Sequence, residues 1–347
     1  MSARVAPRDH RYLSKREVAL LRAARRRPAR PAAASITRGE LGLNPLRAGD
    51  GGAFYEHRRY TPGEDASRID WKLYARTDRL YLRRDERRGD RPLLVLVDAS
   101  ASMAFAGFEP AAKAQPSAWA SWRDALAFAI QGPPDAEPRH ASPADQAVTK
   151  YDHAAKLAAA SAWLARDRRR PWRVAWAGPE PPRPCGDRDG LPALLARLEA
   201  RRSTLGGRAD LARATRSIGR DSSSPRATDL LMITDPFEPR GPTVAALRRW
   251  RAAHGRVAVA HVLHPHEVGD SDPFAGSARL VDAETAAVRP WRGEGLAHAY
   301  AGGVRREVAA WRSALSRAGV GYQTFVFDRA YHRELEGLLR FLDRPGR

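Results

Sequence analysis

Apolar residues recur along the chain in two rhythms. Short, nearly unbroken runs occur at PLLVLV (92–97), WRVAWA (172–177), DLLMIT (229–234), VAVAHVLH (257–264) and GYQTFVF (321–327). Runs of this length without polar alternation suit strands covered on both faces, as in a parallel sheet. Between them, apolar positions spaced three and four apart predict helices at about 151–167, 191–201, 209–219, 242–254, 296–318 and 330–342. Strand and helix alternating in this way specify an α/β fold: a mostly parallel sheet of Rossmann type with helices on both faces. The segment 277–291, SARLVDAETAAVRPW, reads as an extra β-hairpin or edge strand ahead of the long helix that begins near Gly295.

Three stretches stand outside this rhythm. Residues 1–50 are basic and rich in Ala and Pro, with one short amphipathic stretch around Lys15–Arg25, and read as an arm that packs only partly. Residues 51–91 are charged and aromatic, with a turn at Thr61-Pro62-Gly63. The α/β domain then occupies 92–347, interrupted at 104–149 by more residues than a strand-to-helix link needs. Within that insertion Trp119, Trp122, Leu126 and Ile130 fall near one helical face. It is read either as a passive surface elaboration or as a partner-binding element.

The chain carries a formal charge of +20 and a pI near 11.0. Such a balance invites polyanions. Only five of its 60 basic residues are lysines, however, and the arginines are spread over every segment without aromatic interleaving. A specific nucleic-acid site is therefore not expected. No window has the unbroken apolar length of a membrane span, and the N-terminus lacks the apolar block of a signal peptide, so a cytoplasmic location is expected. The lone Cys185, set among prolines, reads as a tolerated loop cysteine.

The chemistry concentrates where the first strand ends. In PLLVLVDASASM the apolar run stops at Asp98, and Ser100 and Ser102 follow at alternate positions. Ligands of open α/β sheets gather outside the carboxyl ends of the strands. A carboxylate with two hydroxyls there is a hard-oxygen set suited to Mg²⁺ or Mn²⁺. A second aspartate, Asp235, ends another strand in LLMITDPF. The competing reading is a capping motif, since Asp followed by small polar residues also opens helices. His261, His264 and His266, with Glu267 and Asp270, form a weaker candidate for a transition metal, against which a solvated loop is the simpler reading. No G-x-S-x-G, G-x-x-x-x-G-K or H-E-x-x-H motif is present.

The D-x-S-x-S strand end and its distant aspartate resemble the von Willebrand factor A fold and its metal-ion-dependent adhesion site. The resemblance implies Asp98, Ser100, Ser102 and Asp235 as metal ligands. It also implies a threonine from the segment STLGGRADLARA, where this chain has Ala209, with Thr204 off register. Asp210 is then read first as a helix cap and otherwise as a group behind the ligands. The preceding segment, FYEHRRYTPGEDASRIDWKLYARTDRLYLRRDERR, resembles the bacterial domain-of-unknown-function family fifty-eight. Phe54, Glu56, Arg59, Tyr60, Pro62, Gly63, Asp65, Arg68, Ile69, Asp70, Trp71, Ala75 and Arg76 carry the match, with Glu64 in place of the first of a paired aspartate; the resemblance spans roughly 40–345, leaving out the arm and the insertion. This signature reads as a packing device, with Trp71 as its apolar anchor and the arginines pairing with carboxylates.

What the resemblance implies is a non-enzymatic protein-interaction module with a partial adhesion site, an adaptor or assembly factor beside a MoxR-type AAA+ ATPase. The alternatives are a hydrolase using the same strand-end carboxylates with a metal-bound water, and a nonspecific nucleic-acid binder.

Overall fold

The computed structural model describes residues 10–26, 54–60, 71–85, 91–107, 148–179, 184–220, 227–235, 240–268, 277–292, 295–327 and 329–343. The insertion helix around Trp119–Ile130 and the turn at 61–63 lie outside these residues.

Six strands form the central sheet: β3 (Leu93–Asp98), β4 (Trp172–Ala177), β5 (Cys185–Gly186), β6 (Asp229–Thr234), β7 (Val257–Leu263) and β10 (Gly321–Val326). Their order across the sheet is β10-β7-β6-β3-β4-β5. Counted along the chain this is 3-2-1-4-5-6, with every pair parallel except the short edge strand β5, antiparallel to β4. Every residue of β3, β6 and β7 is buried, which explains their continuous apolar runs. Register brings the ends of neighbouring strands level, with Asp98 opposite Ala177 and Val97 opposite Ile233.

Side chains alternate between the faces of β3. Leu93, Val95 and Val97 point into a layer built by α3 (Lys150–Asp167) and α9 (His332–Leu342), together with α4 (Gly190–Arg202) toward the β5 edge. Leu94 and Leu96 point into the other layer, against α5 (Leu211–Arg220), α6 (Arg240–Ala253) and α8 (Leu296–Arg317). Helix α3 presents Ala154, Ala155, Ala158, Ala159 and Ala162, all fully buried, and these small side chains let it lie close over the middle of the sheet. It opens with a capping box, in which Thr149 Oγ1 accepts the Asp152 N–H and Asp152 Oδ2 accepts the Thr149 N–H.

Of the N-terminal segment read as packing only partly, residues 10–26 do pack: Tyr12 and Leu13 are fully buried, and Val18 and Leu21 of α1 (Lys15–Arg26) join the core. The capping box Ser14/Glu17 starts α1. Tyr12 Oη and the Arg11 guanidinium both donate to Asp152, at 3.0 and 3.3 Å, and Arg25 pairs with Asp167. Cys185 departs from the sequence reading: it is not a loop residue but a buried member of β5, and burial pushes its thiol up to about 11. Two antiparallel hairpins accompany the sheet. One pairs β1 (Phe54–Arg59) with β2 (Tyr81–Asp85), with α2 (Trp71–Thr77) between them in sequence; the other pairs β8 (Ser277–Val281) with β9 (Val288–Arg292), where an extra hairpin was expected.

Candidate functional site

At the carboxyl end of the sheet, four of the expected residues meet. Asp98 closes β3, and its Oδ1 accepts the Ser100 N–H at 2.9 Å, curling the chain back over the strand tip. Ser100 Oγ lies 3.1 Å from Ser102 Oγ, and Ser102 Oγ donates to Asp235 Oδ1 at 3.1 Å. A 3₁₀ turn, Ala101–Ala104, follows and buries Met103. Ser102 and Asp235 are 133 residues apart, so it is the parallel pairing of β3 with β6 that brings them into contact.

Glycine builds the third loop. Gly207 accepts the Ala101 N–H at 3.0 Å, and the Gly206 N–H reaches the Ala99 carbonyl. Gly207 has φ +61, and a Cβ there would meet Pro179 Cγ at 2.7 Å, so both backbone and space call for glycine. The buried Ala209 brings no hydroxyl, and Thr204 donates instead to the Arg201 carbonyl at the end of α4. Asp210 caps α5 by accepting the Arg213 N–H at 2.6 Å. At the edge of the rim, Arg208 pairs with Glu284 in the β8–β9 turn at 3.3 Å. Burial raises the pKa of Glu284 and the Asp235 charge pushes the same way, against Arg208.

Three residues that the sequence reading did not assign to the site complete it. Thr234 Oγ1 donates to Asp98 Oδ2 at 2.6 Å. Lys150, the first residue of α3, places Nζ 2.9 Å from Asp235 Oδ2 and 2.7 Å from Glu267 Oε1. Glu267, in the short helix α7 (Pro265–Val268), also accepts the His264 N–H at 2.7 Å and the Tyr300 hydroxyl at 3.4 Å. Lys150, Asp235 and Glu267 are each at most 2% exposed. Burial alone would depress the Lys150 ammonium, but Asp235 and Glu267 together outweigh it and hold its pKa above the ordinary value. Asp98 behaves oppositely: burial, then the Asp235 charge, lift it to about 7 against the hydrogen bonds from Thr234 and Ser100.

Two of the three histidines are not the solvated residues expected. His261 is buried with Nδ1 2.6 Å from Tyr322 Oη, and His264 is buried between the rings of Phe105 and Phe327. Among the described residues no group of three or more His, Cys, Asp and Glu side chains is arranged to hold a metal.

A divalent ion at Asp98, Ser100, Ser102 and Asp235 can be judged on this donor set. All four carboxylate oxygens are engaged, by Ser100, Thr234, Ser102 and Lys150, and the threonine position holds alanine. A full ammonium charge lies 2.9 Å from one of the two carboxylates that would have to draw the ion in. The residues do not fit a resident divalent ion.

The signature segment is placed in part. Glu56 and Arg59 lie on β1, opposite Arg84 and Tyr81, and the Tyr60 N–H donates to the Leu80 carbonyl at 3.0 Å. Pro62, Gly63, Asp65, Arg68 and Asp70 lie outside the described residues. Arg76 is exposed. Trp71 is not a buried anchor: it is 60% exposed and meets Tyr74 edge-on at 6.0 Å.

The 3-2-1-4-5-6 order, the antiparallel edge strand and the D-x-S-x-S turn at the central strand's tip define a von Willebrand factor A-like α/β domain. Residues 56–132 match the family model described as Protein of unknown function DUF58, so the chain carries a DUF58 region that runs into this domain. The match is shorter than the span read from the sequence, and it enters the insertion, which that reading had left out. No curated protein matches the sequence. Solved structures similar to it at low overall superposition include the conserved hypothetical protein BatB from Bacteroides thetaiotaomicron (14% identity, TM-score 0.37, 72% of this chain and 96% of that one). An aerotolerance-related membrane protein from Bacteroides fragilis gives 15%, 0.38, 73% and 98%, and the SpRpn10 VWA domain gives 9%, 0.33, 71% and 93%.

Proposed function

We propose that the chain is a non-enzymatic protein-interaction module that binds its partner at the carboxyl rim of the sheet, as an adaptor or assembly factor beside a MoxR-type AAA+ ATPase in the cytoplasm. The observation that supports this reading is the joining of three chain-distant segments into one rim: the Ser100–Ser102 turn, the Gly206–Gly207 loop and the end of β6 at Asp235. Rims of this kind are where open α/β sheets collect ligands. The fold supports protein interaction, and the family resemblance alone supports the ATPase.

The experiment is a pull-down with a purified MoxR-type ATPase from the same genome, in buffers with Mg²⁺ and with EDTA. Wild type is expected to bind in both, and Arg208→Glu, at the rim edge, to bind at least roughly tenfold more weakly, the loss of about 1.4 kcal/mol that a reversed contact charge imposes. Binding only with Mg²⁺ would restore the expected metal at Asp98, Ser100, Ser102 and Asp235. Phosphoester turnover that vanishes in Asp98→Ala would replace the adaptor with the hydrolase. DNA retention that falls steeply with salt and is unaffected by Asp98→Ala would point to the arginines instead.

A further inference from the structure

We infer that Lys150 is the built-in cation of the strand-end site: its ammonium supplies positive charge to Asp235 from the side facing Glu267 and ties the β6 end to α7, so the rim is assembled without metal. The inference concerns the same rim as the proposed interaction surface, but its test involves no partner, so the two readings stand or fall separately.

Geometry carries the argument. One continuous run of hydrogen bonds passes from Asp98 through Ser100, Ser102 and Asp235 to Lys150, and from Lys150 to Glu267 and the His264 N–H. Lys150 is the only positive group in that run. Without it, the buried Asp235 and Glu267 would lose the ammonium they share.

Placement and residue type point the same way. A cation on the first residue of a helix sits at the positive end of the helix dipole, which disfavours it. The two carboxylates offset the cost of a charge held there at 2% exposure. The chain is also overwhelmingly an arginine protein, yet this position is one of its five lysines. A compact ammonium reaches two carboxylates from different elements and still faces the Phe105 ring at 5.2 Å, whereas a guanidinium would present its donors in a fixed planar fork.

The full-length chain is titrated with Mn²⁺ by calorimetry, as wild type, Lys150→Ala and Lys150→Ala with Asp235→Asn. Wild type is expected to bind no Mn²⁺ at micromolar concentrations. Lys150→Ala is expected to bind it at least roughly tenfold more tightly than wild type, the scale on which neighbouring groups tune metal sites. The added Asp235→Asn is expected to abolish the gain. A lysine that merely packed would give no such gain. If Lys150→Ala does not fold in EDTA, its recovery in Mn²⁺ supports the inference and its failure to recover overturns it. Stoichiometric micromolar binding by wild type overturns it in any case.

Discussion

Strand β6 has an ion network at each end, and the two are built differently. At its start, Asp229 accepts the Arg170 guanidinium at 2.6 Å and the Arg256 N–H at 2.6 Å. Arg170 also spans to Asp343 beyond α9 at 2.7 Å and to the Arg91 carbonyl at 2.6 Å. Arg168 joins the same cluster through Glu336 at 2.6 Å and through Asp343. At its finish, the charge is a single ammonium, and the links pass through serine and threonine hydroxyls. The lower network ties the C-terminal helix to the sheet with planar, multi-point forks that fix geometry. The upper one joins chain-distant segments through single bonds.

The sharpest way to break this contrast is at Arg170. Arg170→Met leaves Asp229 and Asp343 without their shared partner and is expected to lower stability by about 3–5 kcal/mol, read as a lower urea midpoint at unchanged slope. Arg170→Lys should recover less than half of that, since the Arg91 carbonyl, Asp343 and Asp229 are met by three separate nitrogens of one planar fork, a spread that a single ammonium does not match. Full recovery would erase the distinction between the ends.

The next effect is a matter of pH and lies between the two ends. His153 on α3 is held neutral, its pKa lowered to about 3 first by burial and then by Lys156. The unfolded chain takes up a proton near pH 6.5 that the native state refuses, so stability falls as pH drops from 6.5 to about 3. His153→Phe, which keeps the ring among Phe327 and Tyr331, should flatten that slope by up to about 1.4 kcal/mol per pH unit relative to wild type. Equal slopes in thermal melts across this range would remove His153 as the cause.

Smaller effects sharpen the upper end. Ser102→Ala deletes the hydroxyl between Ser100 and Asp235 and should cost about 1 kcal/mol by urea denaturation. Asp210→Ala, which removes a helix cap beside the rim, should cost a similar amount, about 1 kcal/mol, without changing partner binding. Arg208→Ala breaks an exposed pair and should change stability by less than about 0.5 kcal/mol, so any larger loss of partner binding reports the contact itself.

Much of the sheet was legible because buried parallel strands are unbroken apolar runs, and DLLMIT and WRVAWA fall residue for residue on β6 and β4. Strand β5 was not, since two residues carry no period. The meeting of Asp98, Ser100, Ser102 and Asp235 followed from placing each at a strand's carboxyl end. Lys150 stayed hidden because a charged residue opening a helix reads as solvated, and its partners lie 85 and 117 residues away; Glu267 had entered the sequence reading only beside the histidines. Ser14-x-x-Glu17 was a capping signature within the sequence, but what seats α1, the burial of Tyr12 and Leu13 beside Asp152, has no local trace. Trp71 shows the converse error, a large aromatic taken for an anchor that the fold leaves in solvent.

The first turn of α3 has a mechanical meaning. Asp152 is gripped at once by the helix's own Thr149, by Arg11 and Tyr12 from the start of the chain, and by Arg202 from α4. That carboxylate lies one position before His153 and two after Lys150. The ammonium two residues earlier therefore projects from a helix start that four other side chains hold in place.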